Sequence, residues 1–236
     1  MNKKIVKFEE ISSTNAYLKE LARKNEPFGT VIVANSQTNG HGRLGRSFSS
    51  EVGGLYLSIL LPVRDPESVG LITTFSAVAV ARAIEKNAPI SVGIKWVNDL
   101  YANGKKLCGI LAEGGFNELG GYTVVGIGIN LYNELPKELS DIATSVFLEC
   151  RLKIDKDKLI NDILAEFGDI ESIDFTKNLE EYRHRSIILG KNINIIPHGA
   201  STYTAKAVEI GDDGSLIVIK DGTREKIFSG EVSIRL

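Results

Sequence analysis

The chain has 236 residues, 43% of them hydrophobic and 25% charged, with a formal net charge of −2. That length suits one large domain or a large and a small one, and it buries well over half of the unfolded surface without covalent staples. The balanced charge offers no global attraction to nucleic acid or to an anionic membrane. No apolar run reaches the roughly 18 residues of a membrane span. Met1-Asn2-Lys3-Lys4 leads into a short strand-like run and not into an apolar signal segment, so the cytoplasm is the expected location. Two cysteines, Cys108 and Cys150, are too few for a disulfide scaffold, and Cys108 lies in an apolar stretch that reads as a buried strand.

In chain order, Ile5 to Phe8 reads as a short strand. Ser12-Ser13-Thr14-Asn15 then offers helix-capping chemistry, and Tyr17, Leu18, Leu21 and Ala22 carry a helix to about Lys24. Thr30 to Ala34 is a buried strand that runs into a polar, glycine-rich segment, 35–54, before Leu55 to Leu61 resumes as strand. Asp65-Pro66-Glu67 starts a long helix, Ser68 to Lys86. Further strands are Ser91 to Trp96, Lys106 to Glu113 and Tyr122 to Leu131, with turns at Asn98-Asp99, Asn103-Gly104 and Gly120-Gly121. From Lys156 to Ile187 the pattern is helical, with Leu159, Ile160, Ile163, Leu164 and Phe167 on one face. Five short strands follow: Ile193 to Ile196, Tyr203 to Glu209, Leu216 to Ile219, Glu225 to Phe228 and Val232 to Arg235. Hairpin signals at 211–214 and Asp221-Gly222 separate them. The expectation is an α+β fold, a mixed β-sheet with packed helices over 1–187, plus a small SH3-like β-barrel over 188–236.

The segment from Gln37 to Phe48 carries glycines at 40, 42 and 45 and arginines at 43 and 46. Glycine lets several backbone N–H groups turn toward one point, and arginine adds a fixed planar cation, so the segment suits a phosphate or a carboxylate. It is neither a Walker loop nor a dinucleotide fingerprint, because no Gly-Lys-Ser/Thr follows and it leads into a strand. A flexible surface loop would need no ligand, but about 18 residues without regular structure are uncommon in a compact domain unless functional. Lys95-Trp96-Val97-Asn98-Asp99 and Lys105-Lys106 would project polar groups from one hairpin. Lys106 has an apolar run behind it and is expected to point inward, Lys105 to solvent; a surface hairpin with snorkelling lysines is the competing reading. Gly126 and Gly128, inside the next strand, imply a close approach by a ligand or by another element.

His41, His184 and His198 do not pair with cysteines or carboxylates at metal-ligand spacing, so no protein metal site is expected. Nor is there a Gly-x-Ser-x-Gly elbow. Arg183-His184-Arg185 reads as a cationic helix end.

Five motifs, in order and spacing, resemble the catalytic and C-terminal domains of biotin–protein ligases. Ser13-Thr14-Asn15 matches the family's Ser-Thr-Asn. Gly40 to Arg46 is similar to its GRGRxGR loop, and Lys95 to Leu111 to its KWPNDL and KLAGIL block. Gly126 to Asn130 matches GIGxN, and Ala143-Thr144-Ser145 matches Ala-Thr-Ser. The chain departs from the pattern three times. Val97 replaces proline, Phe48 replaces tryptophan and so lacks the indole N–H, and His41 replaces the loop's first arginine.

The resemblance implies a class II synthetase-like catalytic domain that uses ATP and Mg2+ to convert biotin to biotinyl-5′-AMP. The biotinyl group then passes to a lysine of a biotin carboxyl carrier protein. It implies Arg43 and Lys106 as catalytic residues. Ser13, Thr14, Asn15, Gln37, Gly40, Arg43, Lys106, Gly109, Gly126 and Gly128 would bind biotin, and Arg43, Arg46, Phe48, Asn98, Asp99 and Asn130 the nucleotide. Larger members add an N-terminal DNA-binding domain; this chain opens at the first catalytic strand, so no DNA-binding role is expected. Family members dimerise by several routes, and a homodimer is expected without an assigned interface. Three other functions compete: a lipoate or octanoate enzyme of the same fold, a non-catalytic biotin-binding module, and nucleic-acid binding through 190–236. The last has few cations to support it.

Overall fold

The computed structural model describes residues 4–63, 69–168, 174–196, 201–228 and 231–234. The expected helix start at 65–67, His198 and Arg235 lie outside these. Seven strands form one sheet: β1 (Ile5–Ile11), β2 (Val31–Gln37), β3 (Leu55–Val63), β4 (Gly93–Lys95), β5 (Asp99–Ala102), β6 (Lys105–Asn117) and β7 (Gly120–Ile129). Their order is β1-β2-β3-β7-β6-β5-β4, with β1 and β2 parallel and the other pairs antiparallel. The mixed sheet of the α+β expectation is therefore present.

Strand β3 is apolar apart from the hydrogen-bonded Ser58, because both of its faces are covered. Leu57, Ile59 and Leu61 face the main core, with α2 (Val69–Asn87). Leu60, one register position away, faces the smaller cluster with Leu18 and Ala22 of α1 (Thr14–Arg23). Beyond α2 lie α4 (Lys156–Phe167) and α5 (Phe175–Arg185), and the Phe75 ring meets Phe167 edge-on with centroids 5.3 Å apart. All five apolar residues expected on one face of α4 are buried.

Three local expectations need correction. Asn98-Asp99 is not the turn: Asp99 opens β5, and residues 96–98 make the connection from β4. Asp99 is a poor strand former, but its neighbours pair on both sides and override its preference. Gly120-Gly121 likewise belongs to β7, so the turn is Glu118-Leu119. The helical stretch over 156–187 is two helices, because Gly168 (φ 40°) caps α4. Asn103-Gly104 is a turn as expected, with positive φ at both residues. A short helix that the sequence did not suggest, α3 (Val146–Cys150), is capped by Ser145.

The C-terminal strands β8 (Asn192–Ile196), β9 (Tyr203–Ile210), β10 (Leu216–Lys220), β11 (Thr223–Ile227) and β12 (Glu231–Ile234) form an antiparallel sheet of order β11-β10-β9-β8-β12. Its buried face is continuous with the main core through Ile193, Ala207, Ile210 and Val232. Two hydrogen bonds hold the 96–98 connection from outside the sheet. Trp96 Nε1 donates to Gly214 O at 3.0 Å, and Tyr182 Oη donates to Val97 O at 3.0 Å. Arg183 Nε donates to Ile210 O at 2.8 Å, so the basic end of α5 is a tie to the C-terminal sheet as well as a dipole partner.

Tyr182→Phe is expected to lower unfolding free energy by about 1 kcal/mol, since it removes the partner of a part-buried carbonyl; urea denaturation checks this. The Asp213 carboxyl lies at about 2: burial pushes it up, but bonds from Lys226 and Ser215 outweigh that effect. A depressed carboxylate stabilises above its unfolded value of 3.8 and loses that contribution as pH falls toward 2. The urea midpoint of Asp213→Asn is expected below that of the unsubstituted protein at pH 7, with the gap closing between pH 4 and pH 2.

Candidate functional site

One cavity of about 470 Å³ opens against β6 and β7, and it is lined from both ends of the chain. That volume lies within the range of small-molecule sites. Its floor is the start of α1. Ser13 caps the helix by accepting from Ala16 N at 3.4 Å, which leaves its hydroxyl proton for a ligand. Thr14 N and Oγ1 both donate to Gln37 Oε1, at 2.8 and 3.1 Å, and Gln37 Nε2 donates to Ser50 Oγ at 2.9 Å. Gln37 therefore commits its carbonyl to holding Thr14 and ties the floor to the glycine–arginine loop.

Asn15 is buried and fully engaged. Its Oδ1 lies 2.6 Å from Ser58 Oγ, and its Nδ2 donates to Glu113 Oε2 at 2.9 Å. A Cβ on Gly126 would stand 2.1 Å from Asn15 Oδ1, so Asn15 is the element that approaches this glycine. At Gly128 it is Phe48: a Cβ there would meet the ring at 2.6 Å. Gly109 is also under Phe48, at 3.1 Å. The recurrent glycines thus make room for two protein side chains beside the cavity.

Charge gathers elsewhere in the lining. Lys106 Nζ is 2.8 Å from Asp99 Oδ1 and 5.9 Å from the Phe48 ring centroid. Arg43 Nη1 comes within 3.5 Å of Asn98 Oδ1, while Asn98 Nδ2 is pinned to Ile110 O at 2.6 Å. Lys95 Nζ lies 3.4 Å from Tyr101 Oη, whose hydroxyl is pushed up to about 12 by burial and then by Asp99. Lys105 does turn away, donating to Ser140 O at 2.6 Å. Cys108 is fully buried, and burial raises its thiol far above the ordinary range, which fits an inert core residue.

The cavity lining takes in fourteen of the fifteen residues expected at the site: Ser13, Thr14, Asn15, Gln37, Arg43, Arg46, Phe48, Asn98, Asp99, Lys106, Gly109, Gly126, Gly128 and Asn130. Gly40 does not line it; a Cβ there would meet Ser50 Oγ at 2.4 Å and Phe48 O at 2.6 Å, so this glycine permits the loop to close on itself. Asn130 is a strut: its Nδ2 donates to Thr144 O at 3.0 Å and its Oδ1 accepts from Asn133 at 3.2 Å. Sequence reasoning missed the apolar wall of Leu135, Leu139, Ile142 and Val232, and it missed Glu113. Leu135, Leu139 and Ile142 carry no periodic signal, because 130–145 is irregular apart from one 3-10 turn, and Val232 comes from β12, far away in sequence. Among the described residues no three of His, Cys, Asp or Glu gather in a metal-holding group, and no helix is long and apolar enough to cross a membrane.

The sequence profile of the biotin/lipoate A/B protein ligase family matches residues 7–130, and that of the biotin protein ligase C-terminal domain matches 188–235. A bifunctional ligase/repressor, BirA, from Bacillus subtilis is 34% identical over 99% of this chain and 75% of its own length. A biotin–[acetyl-CoA-carboxylase] ligase from Mycobacterium tuberculosis is 28% identical over 94% of this chain and 86% of its own. The solved structure of biotin protein ligase from Aquifex aeolicus in complex with biotin and ATP superposes with a TM-score of 0.84, at 29% identity and 99% coverage of both chains. On these matches, over most of the chain in sequence and nearly all of it in structure, the chain belongs to the biotin–protein ligases of the biotin/lipoate A/B protein ligase family.

Proposed function

We propose that this chain activates biotin with ATP as biotinyl-5′-AMP and transfers the biotinyl group to a lysine of a biotin carboxyl carrier protein. The observation that carries the reading is a single cavity that joins an uncharged hydrogen-bonding floor to a cationic wall. Ser13 offers a hydroxyl proton and Thr14 an acceptor oxygen to a ureido ring, and Arg43 and Lys106 face the place where charge develops. The family match and the likeness to a ligase solved with biotin and ATP support the same reading.

In the first step a carboxylate oxygen of biotin attacks the α-phosphorus. The bond from that phosphorus to the bridging oxygen breaks, and pyrophosphate leaves with its electrons. Arg43 and Lys106 supply fixed cations for the crowded oxygens, and Asp99 holds Lys106 in place. Arg46 takes the pyrophosphate end, Phe48 and Asn98 flank the nucleotide, and Asn130 props the wall behind it. In the second step the acceptor amine attacks the acyl carbon, the acyl–phosphate bond breaks, AMP leaves, and the amine's proton passes to water. Magnesium belongs to the substrate, carried on the ATP phosphates. Residues 1–187 form the catalytic unit, and 188–236 the unit that supplies Val232 to its rim. The assembly is a homodimer, which the mass by light scattering would test.

The test of the reaction is pyrophosphate–ATP exchange with biotin, lipoate or octanoate as the acid. Exchange with biotin alone is expected; exchange with lipoate or octanoate alone would overturn the choice of acid within the family. Arg43→Ala and Lys106→Ala are each expected to lower exchange by about 100-fold or more, as loss of a transition-state donor does, with little change in melting temperature. Unchanged turnover in both variants would sink their assignment. Gly126→Ala is expected to displace Asn15 and raise the KM for biotin by about tenfold, through loss of roughly one to two hydrogen bonds.

A further inference from the structure

Glu113 of β6 does not line the cavity, but a row of short contacts joins it to the cavity floor. Its Oε1 accepts from Lys19 Nζ of α1 at 2.5 Å, and its Oε2 accepts from Asn15 Nδ2 at 2.9 Å. Leu111 O, 3.3 Å from the same Asn15 nitrogen, is a second acceptor on that side. Asn15 Oδ1 lies 2.6 Å from Ser58 Oγ, Ser58 Oγ lies 2.8 Å from Thr14 Oγ1, and Thr14 Oγ1 lies 3.1 Å from Gln37 Oε1. Thr14, Asn15 and Ser58 are all buried, so the row satisfies itself with its own protons.

Those protons are few. A carboxylate only accepts. Burial pushes the Glu113 carboxyl up, but the bonds from Lys19 and Asn15 bring it below the ordinary value, so it is ionised at neutral pH. Asn15 therefore turns its amide nitrogen to Glu113 and its oxygen to Ser58. That oxygen is satisfied when Ser58 donates to it, which uses the Ser58 proton. The Thr14 proton then serves either Ser58 Oγ or Gln37 Oε1. In both cases it stays within the protein, and Thr14 shows a ligand only a lone pair. Were Thr14 to donate to the ligand, two oxygen–oxygen contacts, at 2.8 and 3.1 Å, would be left without a proton.

We infer that Glu113 is a specificity-determining positioning residue: through Asn15 and Ser58 it fixes the order of protons that makes Thr14 an acceptor, and so selects a ligand that donates an N–H there. Ser13, beside Thr14, keeps its own proton for the ligand. Together they ask for a carbonyl oxygen next to an N–H, which is the edge of a ureido ring. The dithiolane of lipoate and the methyl end of octanoate offer neither. The inference rests on the proposed reaction and gives a physical reason for its choice of acid.

Two measurements test it. Neutron diffraction from ligand-free crystals of the deuterated protein reads the order directly. Deuterium on Asn15 Nδ2 directed at Glu113, and on Ser58 Oγ directed at Asn15, is expected; Asn15 Oδ1 turned to Glu113 would overturn the inference. The second is the Kd for biotin and for its two cyclic carbamate analogues, in which oxygen replaces one or the other ureido N–H. The less tolerated analogue is expected to bind the unsubstituted protein about 100-fold more weakly than biotin, because its ring oxygen meets a lone pair of Thr14. Glu113→Gln keeps the shape, but Lys19 can only donate and draws the new amide oxygen, which turns the new N–H2 toward Asn15. Asn15 then gives its own N–H2 to Ser58, Ser58 donates to Thr14, and the Thr14 proton is free for a ligand. The ratio in this variant is expected to fall to about tenfold. Lys19→Met removes a partner of Glu113 yet leaves the carboxylate, and its ratio should stay near that of the unsubstituted protein. An unchanged ratio in Glu113→Gln, or an equal fall in Lys19→Met, would overturn the inference. The expected deuterium order in a protein that binds no biotin would uphold the control by Glu113 and overturn the proposed reaction instead.

Discussion

Between α1 and the sheet runs a part-buried chain of hydrogen bonds: Glu113 to Asn15, Asn15 to Ser58, Ser58 to Thr14, Thr14 to Gln37, Gln37 to Ser50. Each of these groups would cost about 1–3 kcal/mol if left dry and unpaired. The interface therefore tolerates polar residues only because all of them find partners, and Gly126 is the condition for it: any side chain there would occupy the space of Asn15 Oδ1. The arrangement ties α1, β2, β3, β6 and the glycine–arginine segment to one register. Helix α1 cannot slide along the sheet, nor β6 slip by one residue, without breaking bonds at both ends. The hydroxyl floor of the cavity owes its rigidity to this chain.

The cationic wall is built by different means. The whole chain carries a small negative charge, yet Arg43, Arg46, Lys95 and Lys106 converge on one cavity. Two come from a loop and two from the β4–β6 hairpins, and like charges brought together repel. Asp99 offsets one of them directly, and Tyr101 offers its oxygen and ring face to another. The cavity that these cations line also takes in the apolar side chains of Leu135, Leu139 and Ile142.

How much of this was legible follows from the range of the interactions involved. The glycine–arginine loop, the Ser-Thr-Asn helix start and the inward choice of Lys106 over Lys105 depend on near neighbours, and sequence pattern carries them. The Asn15–Glu113 contact spans 98 positions, and no periodicity marks it. Asp99 looked like a turn because aspartate usually breaks strands; pairing on two sides places it in β5 instead. Gly126 and Gly128 signalled close approach correctly, but only coordinates reveal that Asn15 and Phe48 are what approach. The wall of Leu135, Leu139 and Ile142 lies in irregular chain, where apolar residues have no period to read.

The tie from Trp96 to Gly214 and the placement of Val232 on the cavity rim give the molecule a temporal property. A ribosome delivers the loop, both lysines and the hydroxyl floor long before it delivers residues 214 and 232. A nascent chain thus owns nearly every polar group of the site, while the strand that completes the cavity has not yet been made. A prematurely ended translation product would carry the recognisable motifs and lack the finished enclosure. A ligase that makes a reactive mixed anhydride thus receives one of the apolar side chains of its cavity only when β12 has been made.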